Sequence, residues 1–569
     1  METSFCVKRN PIVTKIFLSI LVPTIFMNLT TAIGSMADAV IIGQYLDELS
    51  LSVVTYATPI YMLINTIAAL FAVGGCIAMS VDIGKGDKLS ANRSFSIAIE
   101  LLAFFSIVLF LAGVFFTAPI TKWLGAGGAE VFDLVKVYVR IILMGAPIFI
   151  MNIAIAFFVR NDGRPTLSMV GMLTSIVVDI IFNLVFVGFM DMGVAGAAYS
   201  TVLGQGVGIA IISSHFFSSK NTLKFVFALD RSVFRIIKNG IGTALTFVYQ
   251  FVTIIILNHF VVSMAGANGV VIYTVVFNLC TVSLAVFEGL SQTIQPMVSV
   301  YYGENSNKKI KQSVKLAILY AIIICGSVMV FLEIFPGIVP YIFGIADSAL
   351  IEQASSAVRI YSISMLIMTI NVIVGYYLQS VEQGTMASVL ISLRCCILFL
   401  LSAFVLGKLF GMNGIWAAYV VAEVITFIIF LGINKAKRRS IAMSGIAADF
   451  FFLDKAEEQN TTSLVWNGKI SSAEKYNSTV ENVLKNANVF DECVVNAVKD
   501  YLSDFAGDNG KYVEVEINNR RKKIIIRDNY DHTLLKQKTS ELNYEGVEAE
   551  YGPVLGWNRI CLKGVECDA

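Results

Sequence analysis

Ser80-Val81-Asp82-Ile83-Gly84 returns as Ser299-Val300-Tyr301-Tyr302-Gly303, an offset of 219 positions. Ala197-Ala198-Tyr199 returns as Ala417-Ala418-Tyr419, offset by 220, with Met192 ahead of one copy and Met412 ahead of the other. The register therefore holds across the whole repeated unit, and each unit is dominated by lipid-soluble sequence. A membrane protein built from two parallel halves places a solute pathway between them and works by rocking one half against the other.

Outward from this repeat, the composition agrees. The chain has 569 residues, 56% hydrophobic and 15% charged, with mean hydropathy +0.74. That balance excludes an ordinary soluble globular protein. A crossing helix needs about 20 predominantly apolar residues. Such runs lie near 14–43, 52–81, 95–118, 133–158, 167–189, 193–217, 239–263, 269–301, 313–335, 355–380, 386–408 and 413–433. The expected fold class is an all-α polytopic membrane protein: twelve transmembrane helices in two six-helix pseudo-symmetric lobes, plus a small cytoplasmic α/β domain. The expected divisions are an N-lobe at 1–218, an inter-lobe loop at 219–238, a C-lobe at 239–440, a linker at 441–482 and the α/β domain at 483–569.

Lys and Arg set the orientation. One set of loops carries Lys8, Arg9 and Lys15, Lys85 and Lys88, Arg160 and Arg164, Lys308 and Lys309, and Lys437 to Arg439. The alternate loops carry Asp47, Asp133, Asp191 and Asp347, with Lys122 and Lys408 as exceptions. Both ends of the membrane part are thus expected in the cytoplasm. The first apolar run follows basic residues like a signal peptide, but it lacks a small-residue cleavage site and is expected to be a retained helix. A net charge of +1 offers nothing to nucleic acid, and nine cysteines without a CxxC pair, with three His, show no metal-ligand spacing. No P-loop or GxSxG motif points to an enzyme.

Beyond 440, Phe450-Phe451-Phe452 is expected at the headgroups, 457–480 reads as a linker, and an amphipathic helix starts near Val483. Residues 512–517 and 522–526 read as a strand pair around Asn518-Asn519-Arg520.

Ionisable groups inside spans are costly, about 2.5–3.5 kcal/mol even on the lenient insertion scale, and are functional candidates by default. Asp38 lies deep in the first span. Asp179 and Asn183, four apart, share a helix face in the fifth, and Thr201 in the sixth adds a hydroxyl. Their oxygens suit a cation or a proton. In the second half Glu288, Gln292 and Gln295 share a face, and Asn371 joins them as a candidate for the substrate cavity, together with Met36 and Tyr249. Arg394 and Glu423 form a candidate structural or coupling pair.

These motifs resemble the multidrug and toxic compound extrusion (MATE) transporters over roughly residues 10–435. The carriers of the resemblance are Met36-Ala37-Asp38 through Gly43, Arg160-Asn161-Asp162-Gly163-Arg164-Pro165, Gly193 through Ala198 with Thr201, Gln295-Pro296 through Tyr302-Gly303, Ser392-Leu393-Arg394, and Gly411 through Trp416. The resemblance implies export of bulky, often cationic amphipathic compounds by Na⁺ or H⁺ antiport. It also implies a cation site at Asp38, Asp179, Asn183 and Thr201, with no resident cofactor and no metal beyond a Na⁺ at Asp38. The family's usual order on span five is Asn then Asp; here it is Asp179 then Asn183. The implied setting is the bacterial plasma membrane, multi-pass, in contact with the lipid bilayer.

The tail resembles, more faintly, histidine-kinase-type ATPase domains such as anti-sigma-factor kinases. Glu492, Asn496 and Asp528 occupy the positions implied to bind nucleotide, whereas Tyr530 replaces an expected Gly. A docking or regulatory domain with a cytoplasmic protein partner is the competing expectation. For the whole chain, the alternatives are a flippase for lipid-linked sugars, disfavoured by a single deep Arg394, and a membrane-tethered signalling protein with the tail as output.

Overall fold

Polar residues at the ends of the apolar runs start the helices. Asn10 accepts from the Ile12 N–H, Asp87 from Ser90 and Asp347 from Ala349, each satisfying a backbone donor that a helix N-terminus leaves open. In this computed structural model the described residues are 10–46, 48–126, 128–227, 232–343, 345, 347–443, 451, 453, 460–466, 473–487, 492–503, 512–529 and 547–564.

Among them are 12 helices long and apolar enough to cross a membrane. Spans 1 to 6 are Pro11–Tyr45, Ser52–Lys85, Lys88–Phe115, Ala129–Asn161, Pro165–Phe189 and Gly193–Phe217. Spans 7 to 12 are Ser232–Gly266, Gly269–Glu304, Asn307–Ile334, Ser348–Ser380, Gly384–Phe410 and Met412–Arg439. All twelve expected spans are present. Lys8, Arg9 and Asp47 lie outside the described residues.

Three spans contain π-helical turns: Ala69–Val73 in span 2, Leu184–Phe189 in span 5 and Leu393–Ile397 in span 11. Such turns gather at functional positions because they rotate the side chains that follow. Here one begins directly after Asn183 and another contains Arg394.

Each lobe has its own apolar centre. Phe71, Phe95, Tyr138, Phe149 and Phe158 belong to the first, and Tyr273, Phe287, Tyr361, Phe399 and Trp416 to the second. Span 1 divides between them. Its foot (Ile16, Phe17, Ile20) packs with Leu290, Ile294 and Met297 of span 8 and Tyr377 of span 10. Its far half returns to the first lobe, where Gly34 faces Ile176. Pro23 stands inside the helix between the two halves.

The lobes meet along spans 1 and 2 against 7 and 8. Arg235 of span 7 donates to both oxygens of Asp82 at 2.8 and 2.9 Å and to Glu382 at 2.5 Å. Gly84 and Gly303 pack so closely that a Cβ on either would stand 2.1 Å from a backbone carbonyl of the opposite lobe. These contacts lie at the bundle end that carries most of the basic loops, called the basic end below.

The C-terminal domain begins earlier than 483. Thr461–Trp466 forms strand β1 inside the stretch expected as linker, and a helix spans Ala473–Ala487, starting ten residues before the expected Val483. The Ser/Thr-rich composition suggested a linker, but Thr, Val and Trp fit a half-buried strand once a partner is present. That partner is β2 (Val513–Asn518), paired antiparallel from Thr461↔Asn518 to Trp466↔Val513. With β3 (Lys523–Asp528), β4 (Val547–Val554) and β5 (Trp557–Gly564) the sheet order is β1-β2-β3-β5-β4. The expected strand pair appears as β2 and β3. A second helix spans Glu492–Ser503. Phe451 and Leu453 pack at the basic end; Phe450 and Phe452 lie outside the described residues.

Strand alternation gives this sheet two unlike faces. Leu464, Trp466, Val513, Val515, Ile517, Ile524, Ile526, Ile560 and Leu562 point to the two helices and form an apolar core with Tyr476, Leu484, Val498 and Tyr501. The other face carries Glu514, Glu516, Lys523, Arg527 and Arg559, all buried. It lies against the basic end of the bundle.

Candidate functional site

Span 5 carries a polar stripe on consecutive turns: Ser175, Asp179 and Asn183, spaced by four. All three are buried. Ser175 Oγ, Asp179 Oδ1 and Asn183 Oδ1 have no hydrogen-bond partner among the described residues. Span 6 approaches this face through Gly204, whose missing side chain leaves room for Asp179.

Asp38 of span 1 completes the group. Asn183 donates its side-chain N–H to Asp38 Oδ1 at 2.9 Å, and the Asp179 carboxylate feels the Asp38 charge. Thr201 and its neighbour Ser200 donate to the Ala197 carbonyl within their helix and stand beside Asp179. Asp38, Asp179, Asn183 and Thr201, selected one by one in the sequence, thus meet in one place. Two carboxylates, an amide oxygen and hydroxyls form a low-charge, all-oxygen set of the kind a hard monovalent cation or a proton occupies.

Sequence reasoning missed Tyr61 and Tyr138, whose hydroxyls lie 3.1 Å apart in electrostatic reach of both acids. Their only signal is a hydroxyl in a span that Phe would also suit.

In the second lobe Gln292 and Gln295 do not line an open wall. Arg160 of span 4 donates to Gln292 at 2.9 Å and to Gln295 at 3.0 Å. Gln292 also exchanges hydrogen bonds with Asn28 and donates to Tyr376. This amide–guanidinium network ties the lobes together. Arg160 and Gln292 each stood out in the sequence, but their pairing across 132 positions did not.

Asn371 donates to Glu423 at 2.7 Å, and Arg394 donates to the other oxygen of Glu423 at 2.6 Å. Asn371 and Glu423 are buried within the second lobe, and Arg394 is half-buried beside them. Glu288 is half-buried and lies within reach of the Arg394 charge. Tyr249 shares a hydrogen bond with Ser392 at 2.8 Å. Met36 is half-buried on span 1, two residues from Asp38.

In the C-terminal domain, Asp528 has both oxygens engaged internally: Tyr501 donates to Oδ2 and Asn558 to Oδ1, each at 2.7 Å. Asn496 is exposed, and the Glu492 side chain and Tyr530 lie outside the described residues.

The comparisons agree with this architecture. The MatE family profile matches residues 23–185 and 240–405, one segment in each lobe. The chain is 25% identical over 408 residues to the multidrug export protein MepA of Staphylococcus saprophyticus, covering 71% of this chain and 89% of the relative. It is 24% identical over 429 residues to MepA of Staphylococcus aureus, covering 74% and 93%. A crystal structure of a MATE in complex with MaL6 superposes with TM-score 0.70 at 22% identity, over 74% of this chain and 95% of the other. A MOP superfamily transporter from Pyrococcus furiosus gives 0.69 at 21%, over 75% and 96%. With more than half of its length matched by the family profile and the fold shared with solved members, this chain belongs to the MatE family.

Proposed function

We propose that the chain is a multidrug exporter of the bacterial cell membrane, secondary-active and not an enzyme, with its basic end in the cytoplasm. The MepA relatives are named multidrug export proteins, and the family match covers both lobes. The positive-inside bias supports the orientation.

The observation that carries the coupling mechanism is the contact of Asp38 with Asn183 beside the unpartnered oxygens of Ser175 and Asp179. A bound Na⁺ or proton supplies the positive charge that lets two carboxylates share a low-dielectric interior. The protein's own part is geometric. Span 5 presents Asp179 and Asn183 on one face, span 1 brings Asp38 to them, and Pro23 inside span 1 removes a helix hydrogen bond, so the Asp38 half can move while the foot stays with the second lobe. Occupancy biases the two lobe arrangements only through its different affinity for each. Bulky amphipathic compounds, often cationic, are the proposed substrates, taken between the lobes near Glu288, Tyr249 and Met36.

The test uses inside-out vesicles with the Na⁺ and pH gradients varied independently and a fluorescent amphipathic cation as reporter. Uptake should need one of the gradients and should vanish in Asp38→Asn. Gradient-independent uptake, or full activity in that variant, overturns the proposal.

A further inference from the structure

The charged face of the C-terminal sheet is buried against both lobes at once. Glu304, at the end of span 8, pairs with Arg527 and, at 3.2 Å, with Arg559. The same Arg559 nitrogen donates to the Ile83 carbonyl of span 2 at 2.7 Å. One guanidinium therefore holds the end of an N-lobe helix and the end of a C-lobe helix together. Lys309, at the start of span 9, pairs with Glu514 at 2.9 Å and with Glu516, and Ser306 donates to Glu516 at 2.5 Å.

The N-lobe is gripped at three more points, the first of them Lys523, which donates to the Gly84 carbonyl at 3.5 Å. The β4–β5 turn at Leu555-Gly556, both with positive φ, reaches the loop after span 4. A Cβ on Gly163 would stand 2.4 Å from the Gly556 backbone nitrogen. Lys88 donates to the Tyr551 carbonyl, and on the C-lobe side Lys308 donates to the Thr461 carbonyl at 2.8 Å. The groups inside this seam (Glu304, Lys309, Glu514, Glu516, Lys523, Arg527, Arg559) are all buried, three acids among four bases. Buried charges bind partners of fixed position and cost heavily when separated.

We propose that the C-terminal domain is an intramolecular clamp that holds the two lobes shut at the basic end, so that opening there requires the domain to release. Its effect on transport rests on the alternating-access reading above. Rocking the lobes apart pulls the Ile83 carbonyl away from Glu304, and Arg559 cannot follow both. The docked domain is thus a brake on the transport cycle.

Cys561 reports release. It sits on the charged face of β5, between Arg559 and the end of the strand, and is 0% exposed. The experiment uses the full chain with the other eight of its nine cysteines replaced by alanine. One sample measures maleimide labelling of Cys561. A second, with Cys561 also replaced, carries spin labels at Leu89 and Lys315, one on each lobe, and reads the inter-lobe distance. Two variants are compared. Arg559→Met removes the double tie, and Lys88→Ala with Lys308→Ala removes one exposed tie per lobe without touching the buried cluster.

The expected result is labelling about tenfold faster in the variants, as for a local opening made easier, together with a longer inter-lobe distance population and faster gradient-driven uptake. Labelling unchanged in both variants overturns the clamp. Faster labelling with unaltered lobe distances and uptake overturns it as well. The distance arm needs no substrate. Lobe distances that respond while no form takes up the reporter would leave the clamp standing and sink the export proposal instead.

Discussion

Gly84 and Gly303 end the two copies of the duplicated motif, and they touch each other across the lobe interface. A Cβ built on Gly84 would lie 3.0 Å from the Gly303 Cα, and one on Gly303 would lie 2.9 Å from the Gly84 Cα. The internal repeat is therefore also a contact, with equivalent positions of the two halves packed on one another. Gly84→Val should prevent the lobes from closing at the basic end, because the obstacle is backbone and cannot rotate aside. Overpacking costs typically about 1–3 kcal/mol, more where nothing can shift. The spin-label distance between Leu89 and Lys315 should lengthen, and uptake should fall.

Asp38→Asn should leave the fold intact, since an amide keeps the shape of the side chain that meets Asn183. Gradient-driven uptake should drop at least about tenfold, a loss of roughly 1.4 kcal/mol or more of coupling. Asp179→Asn should behave alike, whereas Tyr61→Phe should keep most of the activity. Parallel uptake assays in reconstituted vesicles decide the ranking.

Arg394, Glu423 and Asn371 form one hydrogen-bonded cluster within the second lobe. Glu423→Ala leaves a guanidinium buried without its acid and should cost about 3–5 kcal/mol, whereas Arg394→Met with Glu423→Leu should recover most of it. Thermal unfolding in detergent, followed by the exposure of buried cysteines, measures both.

Docking of the C-terminal domain should weaken in acid. Burial works to raise the Glu514 carboxyl, but Lys309 and Arg527 outweigh it and hold it below the usual carboxylate value. A carboxyl lowered in the docked form adds stability above its ordinary pKa, about 4.3, and loses it as pH falls through the lowered value. Cys561 labelling by a pyridyl disulfide, which reacts with thiols in acid, should stay slow from neutral pH to about the ordinary value and accelerate below it. Lys309→Gln should weaken this dependence, with Arg527 still beside Glu514.

Asp528→Asn should destabilise the C-terminal domain without changing nucleotide affinity. Both Tyr501 and Asn558 donate to Asp528, and an amide accepts at only one of its two ends. The expected cost is about 1–3 kcal/mol for a buried group left unpaired. Equilibrium dialysis with ATP on the full chain, beside a melting curve, separates this outcome from a nucleotide site.

Much of this was legible residue by residue. The twelve spans follow from apolar length alone, because a bilayer leaves no other way to satisfy the backbone. Asp38, Asp179, Asn183, Arg394 and Glu423 stood out because polar groups in lipid are expensive, and the four-residue step from Asp179 to Asn183 already placed two of them on one face. Tyr61 and Tyr138 carried no comparable signal. Glu514 and Arg527 looked like ordinary alternating strand residues, and nothing local marks such a face as buried. Thr461–Trp466 read as linker because a strand is defined by its partner.

Local chemistry thus settled which segments enter the membrane and which side chains are too costly to be there idly, since both depend on composition over one or two helical turns. Three-dimensional packing settled which distant groups meet: Asp38 with Asn183, Arg160 with Gln292, Gly84 with Gly303, Arg559 with Ile83 and Glu304 together. Those meetings depend on helix rotation, on how the helices pack and on the docking of a sheet against two lobes. No short-range pattern encodes any of them.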